Sequence, residues 1–140
     1  MKKKILAVTL AATMTMSVFG STVFAEENVE DKGIIYVITS SYATPLFEVE
    51  AKTVTESAEA LGYTVKAVSH DDDLTKQSQI IETAIADKAV GIILDNAGAE
   101  GSVEAVKSAK EAGIPTGIIE RELASEGDAI AQVGSNNYQG

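Results

Sequence analysis

Cysteine is absent from all 140 residues. Disulfides, thiol catalysis and cysteine-based zinc sites are therefore excluded. So is a lipidated cysteine at an export cleavage site. The chain has one histidine. His70 has no sequence partner for a triad or a metal cluster, and it reads as an exposed loop residue. No G-x-G-x-x-G follows the first apolar run, so the nucleotide fingerprint is missing. No G-x-S-x-G elbow and no H-E-x-x-H motif occurs. Asp71-Asp72-Asp73 lacks the calcium-loop pattern and reads as a solvated turn that caps the next helix. Positive charge is also scarce, with 11 Lys and Arg against 21 Asp and Glu, a formal net charge of −10. Such a chain repels nucleic acid and anionic lipid, and no nucleic-acid partner is expected.

Most of the positive charge near the amino terminus has one use. Lys2, Lys3 and Lys4 precede a mostly apolar run, Ile5 to Val18, and Val23-Phe24-Ala25 has the small-x-small form of a signal-peptidase site. Residues 1–25 read as a cleaved secretory signal. The run is too short, and too punctuated by Thr, Ser and Gly20, for a membrane anchor. Without it, 8 basic residues face 21 acidic ones, a net −13. The expected product, residues 26–140, is exported to the periplasm or beyond the cell.

What the chain has in quantity is short apolar runs separated by helical patterns. Gly91-Ile92-Ile93-Leu94 is a continuous apolar stretch, the mark of a strand buried on both faces. It breaks off into Asp95-Asn96. Two other strand candidates end in polar loops, Ile34–Thr39 in SSYATP and Thr116–Ile119 in ERE. Further strands are expected at Tyr63–Val68 and Ala129–Val133. Helices are expected from Pro45 to Leu61, from Leu74 to Asp87 and from Ala99 to Ala112. Phe47, Ala51, Val54, Ala58 and Leu61 share one face of the first. The order β-α-β-α-β-α-β-β implies an α/β fold, a doubly wound parallel sheet of strand order 2-1-3-4-5. Ser135-Asn136-Asn137 resembles a helix cap, and the chain reads as the front part of a larger protein, its carboxyl-terminal domain absent. One face of the sheet would then lack cover and the last strand would be a poorly protected edge.

In a sheet of this order ligands sit at the carboxyl ends of the strands, between the first and third. The loops there bring hydroxyls (Ser40, Ser41, Tyr42, Thr44), an aromatic (Phe47), an amide (Asn96), two acids (Asp95, Glu120) and a guanidinium (Arg121). Carboxylates accept from sugar hydroxyls, arginine donates to ring and hydroxyl oxygens, and an aromatic face covers C–H surface. The set suits a small polyhydroxylated ligand. No catalytic residue, cofactor or metal is expected.

These residues resemble a known family. S-S-Y-A-T-P-L-F after the first strand, L-G-Y before the second, I-P before the fourth, E-R at its end and S-N-N-Y-Q-G at the terminus are similar to the ribose-binding branch of periplasmic sugar-binding proteins. The resemblance spans nearly all of residues 33–140. It implies one of two similar α/β domains joined by a hinge, which close on a monosaccharide or sugar alcohol and deliver it to the membrane subunits of an ABC-type importer. It also implies a monomer. Within it, Thr44 matches a position that often carries Asn. Leu46 and Phe47 match an aromatic pair, of which only Phe47 keeps the ring. Asp95 or Asn96 matches a polar position after the third strand, and Glu120-Arg121 matches an Asp-Arg pair that grips the sugar. With Ser41 from the first loop, these form the expected ligand set. Two other functions share the architecture. A secreted enzyme on a small polar substrate has no nameable nucleophile–base pair. A module presenting its ligand to a membrane sensor would use the same site.

Overall fold

The computed structural model describes residues 31–134. The expected signal at 1–25 and the cap at Ser135-Asn136-Asn137 lie outside the described residues. Eight elements follow in order: β1 (Ile34–Thr39), α1 (Pro45–Ala60), β2 (Thr64–Ser69), α2 (Leu74–Ala86), β3 (Gly91–Asp95), α3 (Val103–Glu111), β4 (Thr116–Glu120) and β5 (Ala131–Gly134). The strands form one parallel sheet of order β2-β1-β3-β4-β5, as the sequence predicts.

Local chemistry accounts for the boundaries. The β-branched runs IIYVIT and GIILD suit a pleated, packed surface. Pro45 opens α1, where a missing N–H leaves nothing unpaired. Asp73 caps α2 by accepting from the amides of Thr75 and Lys76 at 2.7 and 3.1 Å. Gly113 follows α3 with φ +81°, a left-handed step that costs glycine nothing.

Strand alternation divides the core. Tyr36 and Ile38 of β1, Ile92 and Leu94 of β3 and Ile118 of β4 pack with Ile81 and Ala84 of α2 and Val106 and Ala109 of α3. All are almost fully buried. Each such large side chain contributes about 1.5–3 kcal/mol by leaving water. Lys66 and the hydroxyl of Tyr36 both donate to Asp87, which fixes the end of α2 to the strands beneath it. On the opposite face Ile35 and Ile93 meet Val54 and Ala58 of α1 across an open apolar groove. Every residue of β5 is exposed.

Three expectations are corrected. The third helix starts at Val103 rather than Ala99. The amide of Ser102 donates to the Gly98 carbonyl, which makes residues 98–102 a turn, and the Ser102 hydroxyl is engaged by Gln77. The last strand is Ala131–Gly134 rather than Ala129–Val133. Lys110 holds the Gly127 carbonyl and Asp128 beside α3, so ladder pairing begins two residues later. His70, expected in solvent, is fully buried, because its ring spans to the end of β3. Leu61, just past the last turn of α1, lines the same groove as Val54 and Ala58, as expected, and is 61 % exposed because that groove is open.

Candidate functional site

The parallel sheet places the ends of β1, β3 and β4 side by side, and their loops carry the expected ligand residues. Asp95 is the last residue of β3 and is 2 % exposed. Alternation puts it on the α1 side of the sheet, in line with Gly91 and Ile93. One carboxylate oxygen accepts from the Ser40 hydroxyl at 2.5 Å, which ties the end of β3 to the residue after β1. An ionised carboxylate has further acceptor positions beyond that bond.

Asn96 and Arg121 hold one another. The Asn96 amide donates to the Arg121 carbonyl, and an Arg121 Nη donates to the Asn96 carbonyl at 3.1 Å. This uses one of the five N–H donors of the guanidinium, and Arg121 is otherwise exposed. Asn96 is fully buried, and its Oδ1 has no partner among the described residues. Glu120 precedes Arg121 with φ +64°, a left-handed conformation that a non-glycine residue adopts at a cost of about 1 kcal/mol. It turns the chain at the end of β4.

Leu46 and Phe47 stand in the first turn of α1. Phe47 is half-buried and Leu46 is 60 % exposed. Leu46 and Glu120 line one groove of about 320 Å³ with Glu50 and Val133. Ser41 accepts from the Ala43 amide at 3.2 Å, and Thr44 occupies the cap position of α1 without a side-chain cap bond. The structure thus bonds Asn96 to Arg121, with Asp95 next to Asn96 in the chain and bonded to Ser40, and it brings Leu46 and Glu120 into one groove. Ser41 and Thr44 lie on the loop after β1, with no side-chain bond to either group among the described residues.

Three residues at this edge escaped the sequence reading. Glu50, on α1, lines the groove with one buried carboxyl oxygen that has no partner among the described residues. Burial first, then the nearby carboxylates of Glu120 and Asp95, push it up to about 7. Its place three residues after Phe47 and four before Val54 marks it as lying beside the inward face of α1. Gln77 is fully buried on α2. It accepts from the Ala97 amide at 2.7 Å and donates to the Ser102 hydroxyl at 2.9 Å. Nothing in the sequence pattern separates Gln77 from a surface glutamine. His70 is the third. Its Nδ1 accepts from the Asp72 amide at 3.1 Å, so the tautomer assigned by these partners has Nε2 donating to the Asp95 carbonyl, 2.7 Å away.

The edge therefore offers carboxylate acceptors, a guanidinium with spare donors and an apolar flank. It fits a neutral molecule rich in hydroxyls. Among the described residues, no group of three or more His, Asp or Glu is arranged to hold a metal ion.

Comparison with known proteins places the chain in a family. Residues 35–140 match the periplasmic binding protein domain family. A D-apiose import binding protein of Actinobacillus succinogenes is 50% identical over 110 residues, covering 79% of this chain and 36% of its own length. A protein of the same description from Paraburkholderia graminis is 46% identical over 129 residues, covering 92% of this chain and 40% of its own. The chain thus spans well under half the length of these curated relatives. Among solved structures, an ABC transporter solute-binding protein of Bacillus halodurans with bound myo-inositol superposes with a TM-score of 0.68 at 23% identity, over 81% of this chain and 39% of the other. At that identity the likeness shows the fold.

Proposed function

The chain belongs to the periplasmic binding protein domain family, and from that premise we propose that it is the amino-terminal part of an exported solute-binding protein for an ABC-type sugar importer. The ligand is a monosaccharide or sugar alcohol. D-apiose is the first candidate, because two curated relatives carry that description at 46–50% identity. Membrane subunits of the importer are the macromolecular partners, and the protein works as a monomer after loss of residues 1–25. N-terminal sequencing of the exported product should then begin at Glu26, and a retained Met1 would contradict export by cleavage.

The observation that carries this reading is the cluster at the carboxyl edge of β3 and β4. Asp95 is fixed by Ser40, and Arg121 is fixed through Asn96 with most of its donors to spare. In the proposed roles, Arg121 donates to ligand oxygens while Asp95 and Glu120 accept from its hydroxyls. Phe47 covers the C–H face. Asn96 orients Arg121, and Ser41 and Thr44 supply hydroxyls from the loop after β1. Leu46 presents no flat ring, so a compact or branched ligand suits the flank better than one sandwiched between two aromatic planes.

Arg121→Ala tests the assignment. It should weaken D-apiose binding by about 2 kcal/mol, roughly thirtyfold, the loss of charge-assisted bonds plus the acceptors left unpaired. Glu120→Asp shortens the carboxylate by one C–C bond of about 1.5 Å and should change the preference order in a panel of pentoses, hexoses and polyols. Wild-type affinity in Arg121→Ala would show that the cluster is not the site.

A further inference from the structure

One residue outside the proposed ligand set joins the ends of three strands. His70 follows β2. Its backbone amide donates to the carbonyl of Thr39, the last residue of β1, at 3.0 Å. Its ring then crosses to the carbonyl of Asp95, the last residue of β3, at 2.7 Å. Asp95 in turn receives the hydroxyl of Ser40, which follows Thr39. We propose that His70 is a positioning residue of the ligand site: its ring fastens the loop after β2 to the main chain of Asp95 and sets where Asp95 and Asn96 stand. The effect on affinity rests on the sugar-binding reading, whereas the effect on the turn does not.

The surroundings of the ring support this. A buried imidazole is costly unless both nitrogens are satisfied, and both are, each by a main-chain group. The loop that supplies the second bond adopts two consecutive left-handed non-glycine residues, Asp71 at φ +54° and Asp72 at φ +59°. Such residues persist where their surroundings over-determine them. Here Ser69 and Lys76 both donate to Asp71, and the Asp72 amide is turned back onto Nδ1. On the far side Gln77 grips the Ala97 amide and Arg121 grips the Asn96 carbonyl. The main chain of residues 95–97 is thus held by side chains from three separate elements or loops. His70 supplies the bond at the end nearest the strand.

Two substitutions separate this bridge from a local role in the turn. Asparagine can place an acceptor near the position of Nδ1 but does not reach Asp95. Glutamine can place a donor near the position of Nε2. In the full-length protein, His70→Asn should speed hydrogen exchange of the Ala97 amide by about tenfold or more relative to the core amides of Val37 and Leu94. It should weaken D-apiose binding by a similar factor, as expected when a buried carbonyl loses its donor. His70→Gln should stay within about threefold of wild type in both measurements. Equal behaviour of the two variants, or wild-type protection of Ala97 in His70→Asn, would overturn the proposal. The exchange measurement needs no ligand. If the wild type binds no sugar and His70→Asn still loosens Ala97 selectively, the positioning role stands and the sugar reading falls.

Discussion

At the scale of single residues, the candidate site carries an electrostatic penalty at Glu50. Glu50 has a carboxyl pushed up to about 7 from an ordinary 4.5. Between those values the folded chain holds a proton that the unfolded chain releases, so the contribution of this group to stability falls as pH rises through that window. Glu50→Gln removes the penalty. It should raise Tm by a few degrees at pH 8 and by less at pH 5, the full effect being reduced by the partial exposure of the side chain. A larger gain at pH 5 than at pH 8 would reverse the assigned cause. Residue-level legibility was uneven for a physical reason. Asp95, Glu120 and Arg121 were readable because strand ends fix where such residues go. His70 was misread as exposed because its partner is a main-chain carbonyl 25 residues away, and a carbonyl leaves no mark in the sequence. Gln77 was missed for the same reason, since one of its partners is the Ala97 amide. Glu50 could have been found, because its helical spacing sets it beside the buried face of α1.

At the scale of elements, caps and periodicity did most of the specifying. The five strands were legible as β-branched or apolar runs, and four of them fall within about one residue of expectation. The cap of α2 was readable as one of Asp71-Asp72-Asp73, and it is Asp73 whose side chain accepts from two amides of the first turn. Asp73→Ala should cost about 1 kcal/mol and lower Tm by several degrees without changing the sheet. An unchanged Tm would mean that the cap adds nothing to the fold. The start of α3 was misplaced because Ser102, the residue before it, gives its hydroxyl to Gln77 of α2. The sequence shows a helical pattern from Ala99, whereas the tertiary bond selects a turn first. The same competition shortened β5, where Lys110 of α3 holds Gly127 and Asp128 away from the ladder.

At the scale of the whole molecule, the strand order followed from the alternation of strands and helices, because right-handed crossovers leave few alternatives. A poorly covered face and an exposed last strand were expected too, but not which face, since that depends on the side each helix takes. The α2 and α3 side is densely packed, while the α1 side keeps an apolar groove and β5 stays exposed. The candidate site edge is likewise open, with Glu120 and Arg121 in solvent. On the proposed reading a second domain supplies the opposite wall, and a ligand held from one side forfeits much of its burial. Residues 26–140 alone should therefore bind D-apiose about a hundredfold more weakly than the full-length protein, or not measurably. Equal affinity of the two would remove the need for a second wall. The central claim is that the carboxyl edge of β1, β3 and β4 binds a small polyhydroxylated solute. Calorimetric titration of the full-length protein with D-apiose, beside a panel of pentoses, hexoses and polyols, tests it most directly. The account predicts saturable binding of one molecule per chain, with at least one member of the panel at micromolar affinity or better. An absence of heat and of competition across the whole panel would contradict it.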